Sequence, residues 1–399
     1  LAGILGMSSK FAECTLGQKY RIIGDNGEVT GGPMIYLRRG LAELGYPRLG
    51  GLLAVVFAVM CIGGSFGGGN MFQSNQAFVQ FLNVTGGESS PFHGRGWFFG
   101  VLLAVLVGAV IVGGIKSIGR VAESVVPIMA LAYIVMAIIA IILNIQDIPE
   151  TFGRIFGGAF NVQSASGGFV GAAVILAIRA GVARGLFSNE AGQGSTPIAH
   201  AVAQTDDPEF QGRMAMLGTF IDTIVICTMT ALVILTVRGE FSNAGEIVPH
   251  VWQSDRVGFE MTSGAFAAAF PAEIAAIPIG TLVASIALLL FVFTTLLTWS
   301  YYGERAITFI YDRVKGSTRS GERKLHMAWR VLWCVGIFIG ASRESDLIWR
   351  MGDIANAVMV VPNLLALLLL SGVVFALARG DRTAGKTHTA DTPEEPEEY

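Results

Sequence analysis

The 399-residue chain is 52% hydrophobic and only 14% charged, with a formal net charge of −3 and a mean hydropathy of +0.59. Soluble domains carry about 25% charged residues, so composition argues against a soluble globular protein, and a near-neutral chain offers no basic field for nucleic acid. Cys14, Cys61, Cys227 and Cys334 lie far apart without a C-x-x-C pair, which suits small buried hydrophobes rather than disulfides or a metal centre.

A membrane span takes about 20 mainly apolar residues. The chain opens at Leu1 inside an apolar stretch, residues 1–17, which reads as a partial helix of a chain whose N-terminal part lies outside the sequence. Charge-free runs follow at 49–87, 97–115, 125–143, 155–178, 274–303 and 354–378. The run 214–237 is broken only by Asp222, and 331–342 is a shorter one between Arg330 and Arg343. Polar, Gly-rich stretches in 49–87 and 155–178 read as loops attached to single spans. This predicts an all-α polytopic membrane domain over 1–378, with one partial and eight complete helices. Residues 379–399, rich in Glu, Thr and Pro, read as a disordered cytoplasmic tail.

Basic residues set the orientation. Alternate loops hold 18 Lys and Arg (Lys19 to Arg48, Lys116, Arg120, Arg213, Arg305 to Arg330, and Arg379, Arg382, Lys386), against 6 in the opposite set. The richer set is expected on the cytoplasmic side, which puts the C-terminus there. The 51 glycines suit close helix packing in lipid.

Three constellations carry polar groups into this apolar background. In Gly67–Gln76, Asn70 and Gln73 stand three apart and either line a pathway or join helices by hydrogen bonds. Around Gly185–Pro197, glycines and the polar Ser188, Asn189 and Glu190 directly follow an apolar segment, the pattern of an interrupted helix that exposes backbone groups. A bend at Gly181 and Gly185 would free carbonyls and amides there, and Arg184 would pair with Glu190 as a structural lock. The third is Phe293–Arg305. Adjacent Thr294 and Thr295 either offer hydroxyl oxygens to Na⁺ or bond their own helix carbonyls. Thr295 and Trp299, four apart, share a face, although Trp299 also suits an interfacial belt. Asp222 is the one acid in its run, either a functional group or a structural hydrogen-bond acceptor.

These segments resemble the alanine or glycine:cation symporters, also called sodium:alanine symporters. Gly185–Ser195 is similar to that family's most recognisable internal stretch. Leu5–Glu13, Gly31–Met34, Gly69–Gln73, Trp299–Arg305 and Pro362–Asn363 resemble others in order. The resemblance implies a LeuT-type fold of two inverted five-helix repeats lacking its first helices. On that pattern the stretch 168–200 is the broken first helix of the second repeat and 278–303 its third. Thr294 and Thr295 would be sodium ligands, and Thr295 and Trp299 would wall the substrate pocket. The implied substrate set is Asn70, Gln73, Gly181, Gly185, Thr295 and Trp299, with Arg184, Ser188, Asn189, Glu190 and Asp222 as gating or structural groups. The implied activity is Na⁺-coupled symport of alanine or glycine in the cell membrane, with Na⁺ as coupling ion, no cofactor and a monomeric chain. The family's own first broken helix would precede Leu1, so this chain alone is expected not to transport.

The rival readings are H⁺ coupling through Asp222 or Glu190, a non-transporting membrane sensor, and a membrane-embedded enzyme. The last lacks an H-E-x-x-H motif and a P-loop ending.

Overall fold

The computed structural model describes residues 2–24, 27–160, 168–256, 258–274, 277–316, 319–343 and 345–381. Helix α1 (Ala2–Lys19) runs into a short ladder of β1 (Ile22–Ile23) and β2 (Val29–Thr30). Helices α2 (Pro33–Glu43) and α3 (Pro47–Gly64) each begin on a proline, where a missing N–H removes no helix bond. Gly32, before α2, takes φ +97°, and a Cβ there would lie 2.5 Å from Ile198 Cγ1. Both the backbone and the space require glycine.

From α3 the chain stays helical through a π segment, Ser65–Met71, into α4 (Phe72–Val84). The Gly-rich stretch expected to loop out of the 49–87 run is instead part of this helix. An open loop among apolar helices would strand backbone polar groups, whereas a wide π turn keeps them bonded. Next come α5 (Gly96–Ile111), α6 (Gly114–Leu143), α7 (Ile148–Phe160), α8 (Gly168–Asn189) and the short α9 (Thr196–His200). The run 155–178 therefore falls on two elements, with 161–167 outside the described residues.

Helix α10 (Pro208–Thr219), capped by the Asp207 carboxylate on the N–H groups of Glu209 and Phe210, leads into a second π segment, Phe220–Cys227, and α11 (Thr228–Thr236). A hairpin of β3 (Arg238–Asn243) and β4 (Glu246–His250) precedes α12 (Phe259–Ala269) and the small ladder of β5 (Glu273–Ile274) and β6 (Ile277–Pro278). The chain closes with α13 (Ile279–Lys315), α14 (Arg319–Ser342), α15 (Ser345–Leu369) and α16 (Ser371–Ala378). The tail beyond Asp381 lies outside the described residues.

Among the described residues five helices are long and apolar enough to cross a bilayer: Pro47–Val84, Gly114–Leu143, Pro208–Thr236, Ile279–Lys315 and Ser320–Ser342. A sixth candidate is the pair Asn356–Leu369 and Ser371–Ala378, bent by 58°. Their outward faces are apolar. Ile128 is 70% exposed and Leu368 72%, which suits lipid and not water. The protein is a mostly helical, multi-pass membrane protein.

Helices α13 and α14 run further than the charge-free stretches 274–303 and 331–342 suggest. Arg305 pairs with Glu28, and Arg330 Nε lies 2.9 Å from Glu304 Oε2, so these buried charges are neutralised in place. The larger core gathers Tyr36, Phe57, Leu296, Trp329 and Trp333 between α2, α3, α13 and α14. A second joins Tyr133 of α6 and Val233 of α11 to Phe266 of α12. All four cysteines are free, with Cys14 and Cys61 buried and Cys227 and Cys334 partly so.

Candidate functional site

The interruption expected near Gly185 is real but lies further along. Helix α8 continues through Gly181 and Gly185 to Asn189, and the break is the turn 190–195 before α9. The bend predicted at Gly181 and Gly185 is therefore corrected. Left-handed backbone supplies the turn, with φ +54° at Glu190, +76° at Gly192 and +85° at Gly194, whereas both α8 glycines keep helical geometry. Gly185 serves packing instead: a Cβ there would lie 3.3 Å from Ala2 Cβ of α1. Glu190 is one of two non-glycine residues with positive φ among the described residues, a strained conformation that surrounding bonds must hold.

Its main-chain N–H donates to Leu186 O at 2.9 Å and its carbonyl accepts from Gln193 N at 3.1 Å, and the other bonds are on its carboxylate. Trp299 Nε1 of α13 donates to Oε1 at 2.9 Å, and the Ser195 and Thr196 hydroxyls donate to Oε2 at 2.6 and 3.2 Å. Lys10 Nζ of α1 donates to Thr196 Oγ1 at 2.6 Å and lies 3.2 Å from Glu13 Oε1. Glu13 Oε2 in turn accepts from Gly194 N at 3.2 Å and Asn363 Nδ2 at 3.0 Å. Asn363 Nδ2 also donates to Gly192 O at 2.9 Å, while its Oδ1 accepts from Tyr36. The turn is thus clasped by α1, α2, α13 and α15. Lys10 and Glu13 are 3% and 0% exposed, so neither could stay charged there without the other.

The expected lock between Arg184 and Glu190 does not form. Arg184 Nη2 pairs with Asp353 Oδ1 of α15 at 2.6 Å, on an exposed face. Helix α8 ends before Glu190, and the left-handed turn carries that carboxylate toward Trp299 instead.

Trp299 is 5% exposed and packs edge-on against Tyr302 at 5.3 Å between ring centroids. Its indole lies on the first π segment, where a Cβ at Gly69 would be 2.4 Å from Trp299 Cγ. All three constellations therefore meet at Trp299, through Gly69 on one side and the Glu190 carboxylate on the other. Thr294 and Thr295 lie on α13 one turn before Trp299. Their hydroxyls donate to Phe291 O at 3.0 and 2.8 Å, and Thr298 donates to Thr294 O at 3.0 Å. With the hydrogens so used, the oxygen lone pairs remain able to meet a cation.

Asn70 and Gln73 are not brought to a common partner. Fully buried Asn70 donates to Trp333 O of α14 at 2.9 Å, while Gln73 folds back onto Gly68 O at 3.1 Å. The wide π turn changes which residues share a face, so the three-residue spacing misleads here. Asp222 lies in the second π segment. Ser188 Oγ donates to its two oxygens at 3.0 and 2.8 Å, and Thr223 Oγ1 at 2.9 Å. Asn189 Nδ2 donates to Thr223 Oγ1 at 2.9 Å.

The sequence reading missed Lys10, Glu13, Tyr36 and Asn363 as site residues. The signal was an acid and a base three apart inside an apolar stretch, a costly pattern unless the pair is buried together.

Comparison with known proteins agrees over nearly the whole chain. The model of the sodium:alanine symporter family matches residues 1–393. The sodium/alanine symporter AgcS of Methanococcus maripaludis is 39% identical over 374 residues, covering 94% of this chain and 74% of that one. In Bacillus subtilis, the probable sodium/glutamine symporter GlnT is 34% identical over 97% of this chain and 72% of its own length. The putative sodium/proton-dependent alanine carrier protein YrbD of the same species is 32% identical over 92% and 70%.

Proposed function

This chain belongs to the sodium:alanine symporter family, and from that premise we propose that it carries alanine or glycine into the cell together with Na⁺. It is a transporter and not an enzyme, as its family is. The observation that carries the reading is the interrupted helix at 190–195, clasped by Trp299 of α13 and by Lys10 and Glu13 of α1. A helix broken within the membrane exposes amides and carbonyls that complement a zwitterionic amino acid and a small cation.

We assign Thr294 and Thr295 as sodium ligands, since Na⁺ is a hard cation suited to hydroxyl oxygen. Thr295 and Trp299 wall the substrate pocket, and the bulk of the indole excludes larger side chains. The helix–turn–helix of α8 and α9, met by α13 through Trp299, supports a LeuT-type arrangement with α8–α9 as the broken first helix of the second repeat. The bias of Lys and Arg among the loops supports a cytoplasmic C-terminus. An inward Na⁺ gradient supplies the work, about 2.3 kcal/mol per charge per 100 mV from its electrical part. Ion binding favours the state open to substrate, and rocking of one bundle against the other releases both inside.

The test is radiolabelled alanine uptake by the full gene product in proteoliposomes, with and without an inward Na⁺ gradient. Uptake driven by Na⁺ is expected, and uptake that follows a pH gradient and ignores Na⁺ overturns the coupling assignment. Trp299→Ala is expected to raise the half-saturating alanine concentration about tenfold, equivalent to about 1.4 kcal/mol. Unchanged uptake kinetics would remove Trp299 from the pocket.

A further inference from the structure

We propose that the junction of α3 and α13 binds an anionic phospholipid, with its phosphate on Arg48 and Arg313 and an acyl chain along α3. The proposal rests on the multi-pass membrane fold and is independent of which ion drives transport. It adds a partner of a different class from the amino acid and Na⁺.

Arg48 is the second residue of the apolar helix Pro47–Val84, where its charge-free run begins. Arg313 reaches the same turn from the end of α13: its Nη2 and Nη1 lie 3.4 and 3.6 Å from where a Gly51 Cβ would stand. Both arginines are exposed, and so is Arg38 on the adjoining α2, whose main-chain O lies 3.4 Å from where a Gly50 Cβ would stand. Among the described residues no carboxylate comes within ion-pair distance of any of the three. The acids on this side are engaged elsewhere, Glu43 with the Tyr20 hydroxyl at 2.7 Å and Glu28 with Arg305. Asp312, beside Arg313 in sequence, keeps its Oδ1 buried without a hydrogen-bond partner, turned from its neighbour's guanidinium. Two guanidiniums and the positive end of a helix dipole therefore stand together unbalanced, a repulsion that an anion relieves.

A lipid-facing stripe follows Arg48 along α3. Leu52 and Val59 share its helix face, 61% and 48% exposed. From Arg48 to Val59 the helix rises about 16 Å, close to half of the roughly 30 Å hydrocarbon core. The stripe thus matches an acyl chain of one leaflet, with the arginines at its headgroup end. Tyr46, 59% exposed just before α3, sets a ring with a polar hydroxyl at the same level, where aromatic belts lie.

Chemistry selects the headgroup. Guanidiniums present paired N–H donors that match phosphate oxygens. A headgroup with net negative charge is favoured over a zwitterionic one, whose own cation competes for the phosphate and is repelled by the arginines. A soluble phosphate would satisfy the arginines and leave the stripe uncovered, so the lipid is the occupant that uses both. The basic residues gather on the side expected to face the cytoplasm, where the leaflet carries anionic lipid. With Arg48 on α3 and Arg313 on α13, one phosphate ties the basic end of α13 to its neighbour.

The experiment is native mass spectrometry of the full gene product in detergent, titrated with dioleoylphosphatidylglycerol or dioleoylphosphatidylcholine. Wild type is expected to hold the phosphatidylglycerol about fivefold more tightly. Arg313→Gln is expected to weaken that binding about fivefold, and Arg48→Gln combined with Arg313→Gln about twentyfold. Arg120→Gln, at an exposed arginine on α6, is expected to bind as wild type does. Equal binding of the two lipids by wild type overturns the proposal, as does wild-type binding by the double variant. An equal loss in Arg120→Gln also overturns it, since overall charge and not the junction would then hold the lipid. Displacement of phosphatidylglycerol by inorganic phosphate would make a free anion the ligand and overturn the lipid as occupant. Should the double variant fail to fold, wild-type binding by Arg313→Gln is the overturning result. Alanine uptake indifferent to Na⁺, with lipid binding intact, would instead overturn the symport reading alone.

Discussion

The two π segments use one backbone device in opposite settings. In Ser65–Met71 the residues Ser65, Gly67, Gly68, Gly69 and Asn70 are buried, whereas no residue of Phe220–Cys227 is. The first has glycine at three of its seven positions, and Trp299 and Asn356 of α15 fill the space beside Gly69 and Gly68. The second carries large apolar side chains outward and turns one carboxylate toward Ser188. A wide turn packed on all sides acts as a socket for a neighbour's side chain. One that is only partly covered is held instead by hydrogen bonds from α8 and by the close approach of Gly3 on α1 to Thr223.

Substitutions beside each segment break or sharpen this contrast. Gly69→Ala would push a Cβ to 2.4 Å from Trp299 Cγ, inside a ring that cannot bend aside. It is expected to cost about 3 kcal/mol, read as a large fall in melting temperature in detergent. Asn70→Ala removes a buried bond to Trp333 O, a carbonyl that keeps its own helical partner in α14, for a loss of about 1 kcal/mol. Gly218→Ala, two residues before the second segment, meets open space and is expected to gain about 0.5–1 kcal/mol of helix stability. If Gly218→Ala destabilises as Gly69→Ala does, the second segment is as tightly packed as the first and the contrast fails.

Much of this architecture was legible in the chain. Long charge-free runs located the apolar helices, because lipid tolerates few unpaired charges. The polar Gly-rich run after Gly185 pointed to an interruption, and Trp299 to the helix that meets it. What escaped were matters of backbone and partnership. The break falls at Glu190 rather than Gly185 because a single left-handed acid, stabilised by three side-chain bonds, stands where glycine would be expected. Lys10 and Glu13 were passed over because their mutual neutralisation shows only in space. The face shared by Asn70 and Gln73 was read with α-helical periodicity, which a π turn does not obey.

The length of α13 has a mechanical side. Its 37 residues extend about 55 Å, nearly twice the roughly 30 Å hydrocarbon core. The residues from Trp299 to Lys315 form a rigid arm of about 24 Å beyond the indole that touches Glu190. A tilt of about 10° pivoting at Trp299 would carry the far end about 4 Å sideways, taking with it the bonds of Arg305 to Glu28 and of Glu304 to Arg330. A shift too small to notice at the centre of the membrane becomes, at the end of that arm, a displacement wider than a water molecule.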